Sequence, residues 1–197
     1  MTIRHIKRVI TIGFIVSFFI EFGPTIAFFA ASQYAGFFTG AAALVFTTVL
    51  SLLWAVLRDK RIAVFSLVTS TFVLFFGIMT LVRHDPSWLY LEYTAYNGIF
   101  GMVLLAGFVR GRGLLKEFFG SMFLLEERGW LLLSLRWSIV FIVTAIGNEI
   151  AWRFYGWDFW VTYRFSTAIL QAIFGFSQLF LARTYRLSEA NEWGLRK

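Results

Sequence analysis

Six apolar stretches, over residues 9–31, 36–57, 62–82, 93–109, 131–152 and 165–182, fill most of this 197-residue chain, and only short polar segments separate them. Each is close to the ~20 residues a helix needs to cross the hydrocarbon core of a bilayer. Lipid offers no partner to a backbone amide, so a spanning segment is either a helix or a strand of a closed barrel. These runs are about twice the length of a barrel strand and lack its period-two alternation. The pattern predicts an all-α, polytopic transmembrane helical bundle over residues 1–197, a single integral membrane domain with six spans.

Composition agrees. The chain is 59% hydrophobic and 15% charged, more apolar surface than a soluble domain of this size can hide. The net charge of +7 would suggest nucleic acid in a soluble protein. Here the basic residues sit in short groups at span ends, which points to the lipid bilayer and its anionic headgroups and to no nucleic acid. Cysteine is absent, so disulfides and thiolate metal sites are excluded.

The same groups set an orientation. Lys and Arg number three before the first span, three in the second connection, four in the fourth and four in the C-terminal tail, fourteen in all. The alternate connections hold Arg83, Arg153 and Arg164, and Arg136 lies inside the fifth span. Under the positive-inside rule both termini are cytoplasmic. Trp54, Trp88, Trp130, Trp152, Trp157 and Trp160 fall near span ends, where indoles favour headgroup depth.

The first segment has alternatives. Its basic leader and apolar run also fit a signal peptide cleaved near Ala27 or Ala31, and Pro24 could interrupt the run to leave a re-entrant half-helix and five full spans. In the fourth connection Leu114, Leu115, Phe118, Phe119, Met122 and Phe123 share one side, and Lys116, Glu117, Gly120 and Ser121 the other. That periodicity predicts an interfacial amphipathic helix over about 114–125, lying on the membrane or packed over the end of the bundle.

Glu21 is the sharpest anomaly, a carboxylate inside an apolar run three residues before Pro24. An ionised group at mid-bilayer costs about 2.5–3.5 kcal/mol, so this pair reads either as a proton or cation site of a small transporter or channel, or as the headgroup-level start of the bundle. Asn148 and Glu149 lie one turn before Trp152, with Arg153 and Arg164 near enough to pair with the carboxylate. Asn97, Gln171 and Gln178 are further polar residues inside spans. Such side chains join helices through hydrogen bonds; the alternative is a solute path lined by Glu21, Asn97, Asn148 and Gln171. Gly36 and Gly40 form a GxxxG pair for close helix packing, within one chain or in a homo-oligomer. His84-Asp85 fits a turn before Pro86 better than a metal site. No phosphate-binding loop, dinucleotide fingerprint or nucleophile elbow occurs, so no catalytic residue and no cofactor is expected.

Trp130, Trp137, Phe141, Asn148, Glu149, Trp152, Trp160, Val161, Tyr163, Arg164 and Phe165 stand in an order that resembles the intracellular septation protein A family. Glu21, Phe22, Pro24, Phe28 and Phe29 resemble its opening, and Thr80-Leu81, His84-Asp85 and Thr94 are further matches. The similarity covers about residues 21–186. The chain departs from the family in Glu92-Tyr93, where Lys-Pro is common, and in about a dozen extra apolar residues before Glu21. The resemblance implies a non-enzymatic, multi-pass protein of the bacterial inner membrane. It also implies a role in cell-envelope biogenesis, septation and cell division among other membrane proteins of elongation and division.

Overall fold

The computed structural model describes residues 23–59 and 64–196. Glu21 and the leader lie outside these residues. Helix α1 covers residues 23–35, followed by α2 (Phe37–Asp59), α3 (Val64–Arg83), α4 (Ser87–Val109), the short α5 (Leu115–Phe119) and α6 (Glu127–Thr184). No β-strand occurs among the described residues, and two isolated bridges are the only extended pairings. Phe37–Leu57 and Glu127–Thr184 are long and apolar enough to cross a membrane, and Leu67–Arg83 is a shorter apolar helix. Residues 23–59 and 66–89 form one compact unit, and residues 64–65 and 90–196 a second.

In the first unit a single residue, Gly36, joins α1 to α2. Its φ of 84° is in the left-handed region, which glycine enters without a Cβ clash. The chain reverses there, and Gly40 packs so close to α1 that an added Cβ would sit 2.8 Å from Ser32 Cβ and 3.0 Å from the Phe28 carbonyl oxygen. The two glycines of the GxxxG pair thus have different tasks, one turning the chain and one admitting the neighbouring helix. Gly77 of α3 admits Val45 of α2 in the same way. Hydroxyls inside these apolar helices are satisfied by the preceding turn: Thr47 donates to the Ala43 carbonyl (2.6 Å), Thr48 to Leu44 (2.7 Å) and Thr80 to Phe76 (3.0 Å). At the α3–α4 turn His84 takes a positive φ of 51°, and the Ser87 N–H donates to Asp85 Oδ1 (2.9 Å). This contact holds the fully exposed Asp85 carboxyl below the usual carboxylate range.

The second unit is built on α6, whose 58 residues form two helical lengths broken at Gly156 (φ 79°, ψ −177°). The lengths are antiparallel, because contacts pair Thr144 with Tyr163, Trp137 with Phe174 and Arg136 with Gln178. Residues 153–164, taken from the sequence as an outer connection, are therefore helical apart from one glycine. Arg164 lies inside a helix and not in a loop. Likewise α4 begins at Ser87 and not at residue 93, because Glu92, which ended the apolar run on paper, is buried inside the unit.

Leu104, Leu115, Leu125, Trp130, Leu133, Phe141, Leu181 and Ala182 form the core of this unit. In the fourth connection only residues 115–119 are helical, short of the 114–125 expected. The chain then turns and extends, so that Leu124 N donates to the Gly194 carbonyl (2.8 Å), Glu126 N to Tyr185 (2.8 Å) and Leu187 N to Leu124 (3.0 Å). The C-terminal tail captures residues 122–126 by backbone pairing, and no side-chain pattern signals that partner.

Candidate functional site

Three helical faces meet in the second unit and carry polar groups inward. On α4, Tyr90, Thr94 and Asn97 recur at i, i+4 and i+7; on α6, Thr144 and Asn148 precede the break, and Trp160, Arg164, Thr167 and Gln171 follow it. Asn148 and Asn97 are 0% exposed, so each amide needs protein partners. Asn148 Nδ2 donates to the Tyr90 carbonyl (2.9 Å) and to Thr94 Oγ1 (2.8 Å), and its Oδ1 accepts from Trp160 Nε1 (2.6 Å). One side chain therefore binds α4 to both lengths of α6.

Around it the network continues. Thr94 donates to Glu149 Oε1, and Arg153 Nε donates to Glu149 Oε2 (2.6 Å) from one turn further along. Arg153 also lies over the Trp152 ring, which stacks on Tyr90 at 5.3 Å. In the other direction Asn97 Nδ2 donates to the Tyr93 carbonyl (2.8 Å), and Gln171 Nε2 to Thr144 Oγ1 (3.2 Å) and Asn97 Oδ1 (3.4 Å).

Beside this network lies a buried ion pair. Arg164 Nη1 donates to Glu92 Oε2 at 2.6 Å, with 5% and 3% of the two side chains exposed. The guanidinium also faces the Tyr93 ring at 4.7 Å and the Trp160 ring at 5.5 Å. Tyr93 OH shares a hydrogen bond with Thr167 Oγ1 (2.8 Å), and Tyr163 OH donates to the Thr144 carbonyl (2.8 Å). Two buried charges are tolerable only because each neutralises the other, and removal of one partner from such a pair costs about 3–5 kcal/mol.

Of the residues singled out in the sequence, Asn97, Asn148, Glu149, Trp152, Trp160 and Arg164 come together here. Pro24, His84 and Asp85 belong to the first unit. Trp137 packs between Phe141 (5.4 Å) and Phe174 (5.1 Å), in aromatic contacts and not in the polar network. The sequence reading offered Glu149 both Arg153 and Arg164; the structure pairs Arg153 with Glu149 and gives Arg164 to Glu92. Glu92, Thr144 and Thr167 were missed as members. The usable signal for Glu92 was an acid immediately before one apolar stretch and an arginine immediately before another, Glu92 before residue 93 and Arg164 before residue 165. Among the described residues no group of three or more acids and histidines is placed to hold a metal ion.

A family model described as intracellular septation protein A matches residues 16–189. The chain is similar to the inner membrane-spanning protein YciB of Nitrobacter hamburgensis, 35% identical over 185 residues, which cover 90% of this chain and 93% of that one. It is also similar to proteins of the same name from Afipia carboxidovorans, at 32% identity with 86% of each chain covered, and Bradyrhizobium sp. strain BTAi1, at 33% with 87% and 86% covered. No solved structure matches.

Proposed function

Because the chain belongs to the intracellular septation protein A family of inner-membrane proteins, we propose that it is a non-catalytic scaffold of the bacterial inner membrane. In this reading it supports envelope biogenesis and septation through lateral contacts with other membrane proteins and with lipid. The observation that carries the reading is the inverted character of the second unit. Asn148 lies inside and bonds to Tyr90, Thr94 and Trp160, and Glu92 and Arg164 lie inside and pair with each other, while Ile139, Val143, Ile146, Ile150, Ile173 and Phe176 face outward. Polar groups held in this way fix helices against each other, and the outward apolar face is what lipid or a neighbouring transmembrane helix would meet.

The same reading takes the chain across the membrane six times with both termini in the cytoplasm. Gly36, the 84–86 turn and Gly156 then fall on the outer side. The positive-inside distribution of Lys and Arg supports this arrangement.

Capture of the full chain from mild detergent after crosslinking in cells tests the proposal. Division or envelope-assembly membrane proteins should be recovered with it; a monomer crosslinked to nothing would overturn the scaffold.

A further inference from the structure

Arg136 stands at one end of an apolar face. On the first length of α6 it shares an exposed stripe with Ile139, Val143, Ile146 and Ile150, at intervals of three and four residues. The antiparallel length presents exposed Ile173, Phe176 and Phe180 beside it. A guanidinium on a lipid-facing surface needs an anion or water. Among the described residues no carboxylate lies within ion-pair distance of Arg136, and its one hydrogen-bond partner is Gln178, through Nη1 and Oε1 at 3.3 Å.

Gln178 is itself fixed. It is buried, and its Nε2 donates to the Phe174 carbonyl (3.2 Å) and to Ser177 Oγ (2.9 Å), which leaves Oε1 aimed at the guanidinium. The Arg136 head is thus oriented from one side, with its other N–H donors turned to the surroundings. Depth narrows the ligand. Arg136 lies five residues, ~7.5 Å of helix, inside the span that begins at residue 131, well short of the middle of the ~30 Å hydrocarbon core. Helical Cα–Cβ bonds tilt toward the N-terminus, here the end bearing Glu127 and Arg128, so the long side chain reaches back toward headgroup level.

We propose that Arg136, oriented by Gln178, binds the phosphate of an anionic phospholipid in the cytoplasmic leaflet. A planar guanidinium pairs with phosphate oxygens through two parallel hydrogen bonds, and that leaflet carries the anionic lipid of the membrane. An acyl chain along Ile139, Val143 and Ile173 would complete the contact. The placement rests on the membrane-spanning scaffold reading above.

Native mass spectrometry of the purified full chain, titrated with phosphatidylglycerol or phosphatidylcholine in detergent, tests this. Wild type should retain phosphatidylglycerol in preference to phosphatidylcholine. R136Q should weaken that retention about tenfold, R136K should fall between, and R83Q, which removes an exposed cation at the end of α3 outside the basic groups that set the orientation, should match wild type. Equal retention by wild type and R136Q overturns the site. Displacement of the lipid by excess inorganic phosphate overturns the lipid in favour of a free anion. If R136Q fails to elute as a folded species, R136K against wild type decides by the same criteria. Because the assay requires no particular orientation in a cell and no protein partner, its outcome is separable from that of the capture experiment.

Discussion

Asn148 ties α4 to both lengths of α6, since one amide bonds to the Tyr90 carbonyl, Thr94 and the Trp160 indole. Hydrogen bonds between membrane helices average about 0.6 kcal/mol each, so N148L should lower stability by about 2 kcal/mol in a detergent melt followed by tryptophan fluorescence. Unchanged melting would show that these contacts do not hold the helices. The Glu92–Arg164 pair calls for a different experiment, because its partners fail together. E92Q or R164Q alone should each cost about 3 kcal/mol, while E92L/R164L should cost much less than the sum, as expected when both buried charges leave at once. Additive losses would place the two residues in separate environments. At the α3–α4 turn the Asp85 carboxyl titrates below its unfolded value because Ser87 N–H bonds its charged form. Its contribution is present above the ordinary carboxylate pKa and is lost as pH falls through the folded value. Melting of wild type should consequently decline on acidification below about pH 4, more than that of D85N, which keeps the cap without the charge.

Three reversals among the described residues, at Gly36, residues 84–86 and Gly156, are short, and the last explains where the sequence reading of a boundary failed. Hydropathy ended the fifth span at residue 152 and restarted at 165, because Arg153, Asp158 and Arg164 interrupt the apolar run. All but Gly156 of that interval is helix, since Arg153 and Arg164 each find a carboxylate on or beside it. Gly156 and Gly36 carry the positive φ that each reversal needs, and a side chain in such a conformation costs about 1–3 kcal/mol. G156A and G36A should therefore each lower stability by about that amount, whereas G98A, with open space around its Cα in α4, should be neutral or stabilising by up to about 1 kcal/mol. Equal effects at all three sites would remove the conformational argument. The amphipathic pattern of residues 114–125 failed for another reason. Its second half is taken by the tail, with Arg196 N bonding the Met122 carbonyl at 2.8 Å, and backbone pairing of this kind leaves no mark on side-chain order.

At the scale of the whole molecule, apolar side chains such as Phe46, Leu57, Val82, Val109, Phe154 and Phe180 are exposed while asparagine and an ion pair are buried, the reverse of a soluble protein. The purified chain should accordingly sediment when detergent is diluted below its micelle concentration, and a chain that stays dispersed would contradict an inner-membrane residence. A reporter fused after residue 182 should be active in the cytoplasm, and activity outside would reverse the proposed topology. The family could be read from Trp130, Trp137, Asn148, Glu149 and Trp160 in their order, and the all-helical class from run length, because a bilayer constrains any chain through hydropathy and backbone hydrogen bonding alone. Which polar residues meet is set instead by helix rotation and register, which hydropathy does not encode. Glu92 and Arg164, 72 positions apart, find each other only because the reversal at Gly156 and the face of α4 bring them to the same buried depth.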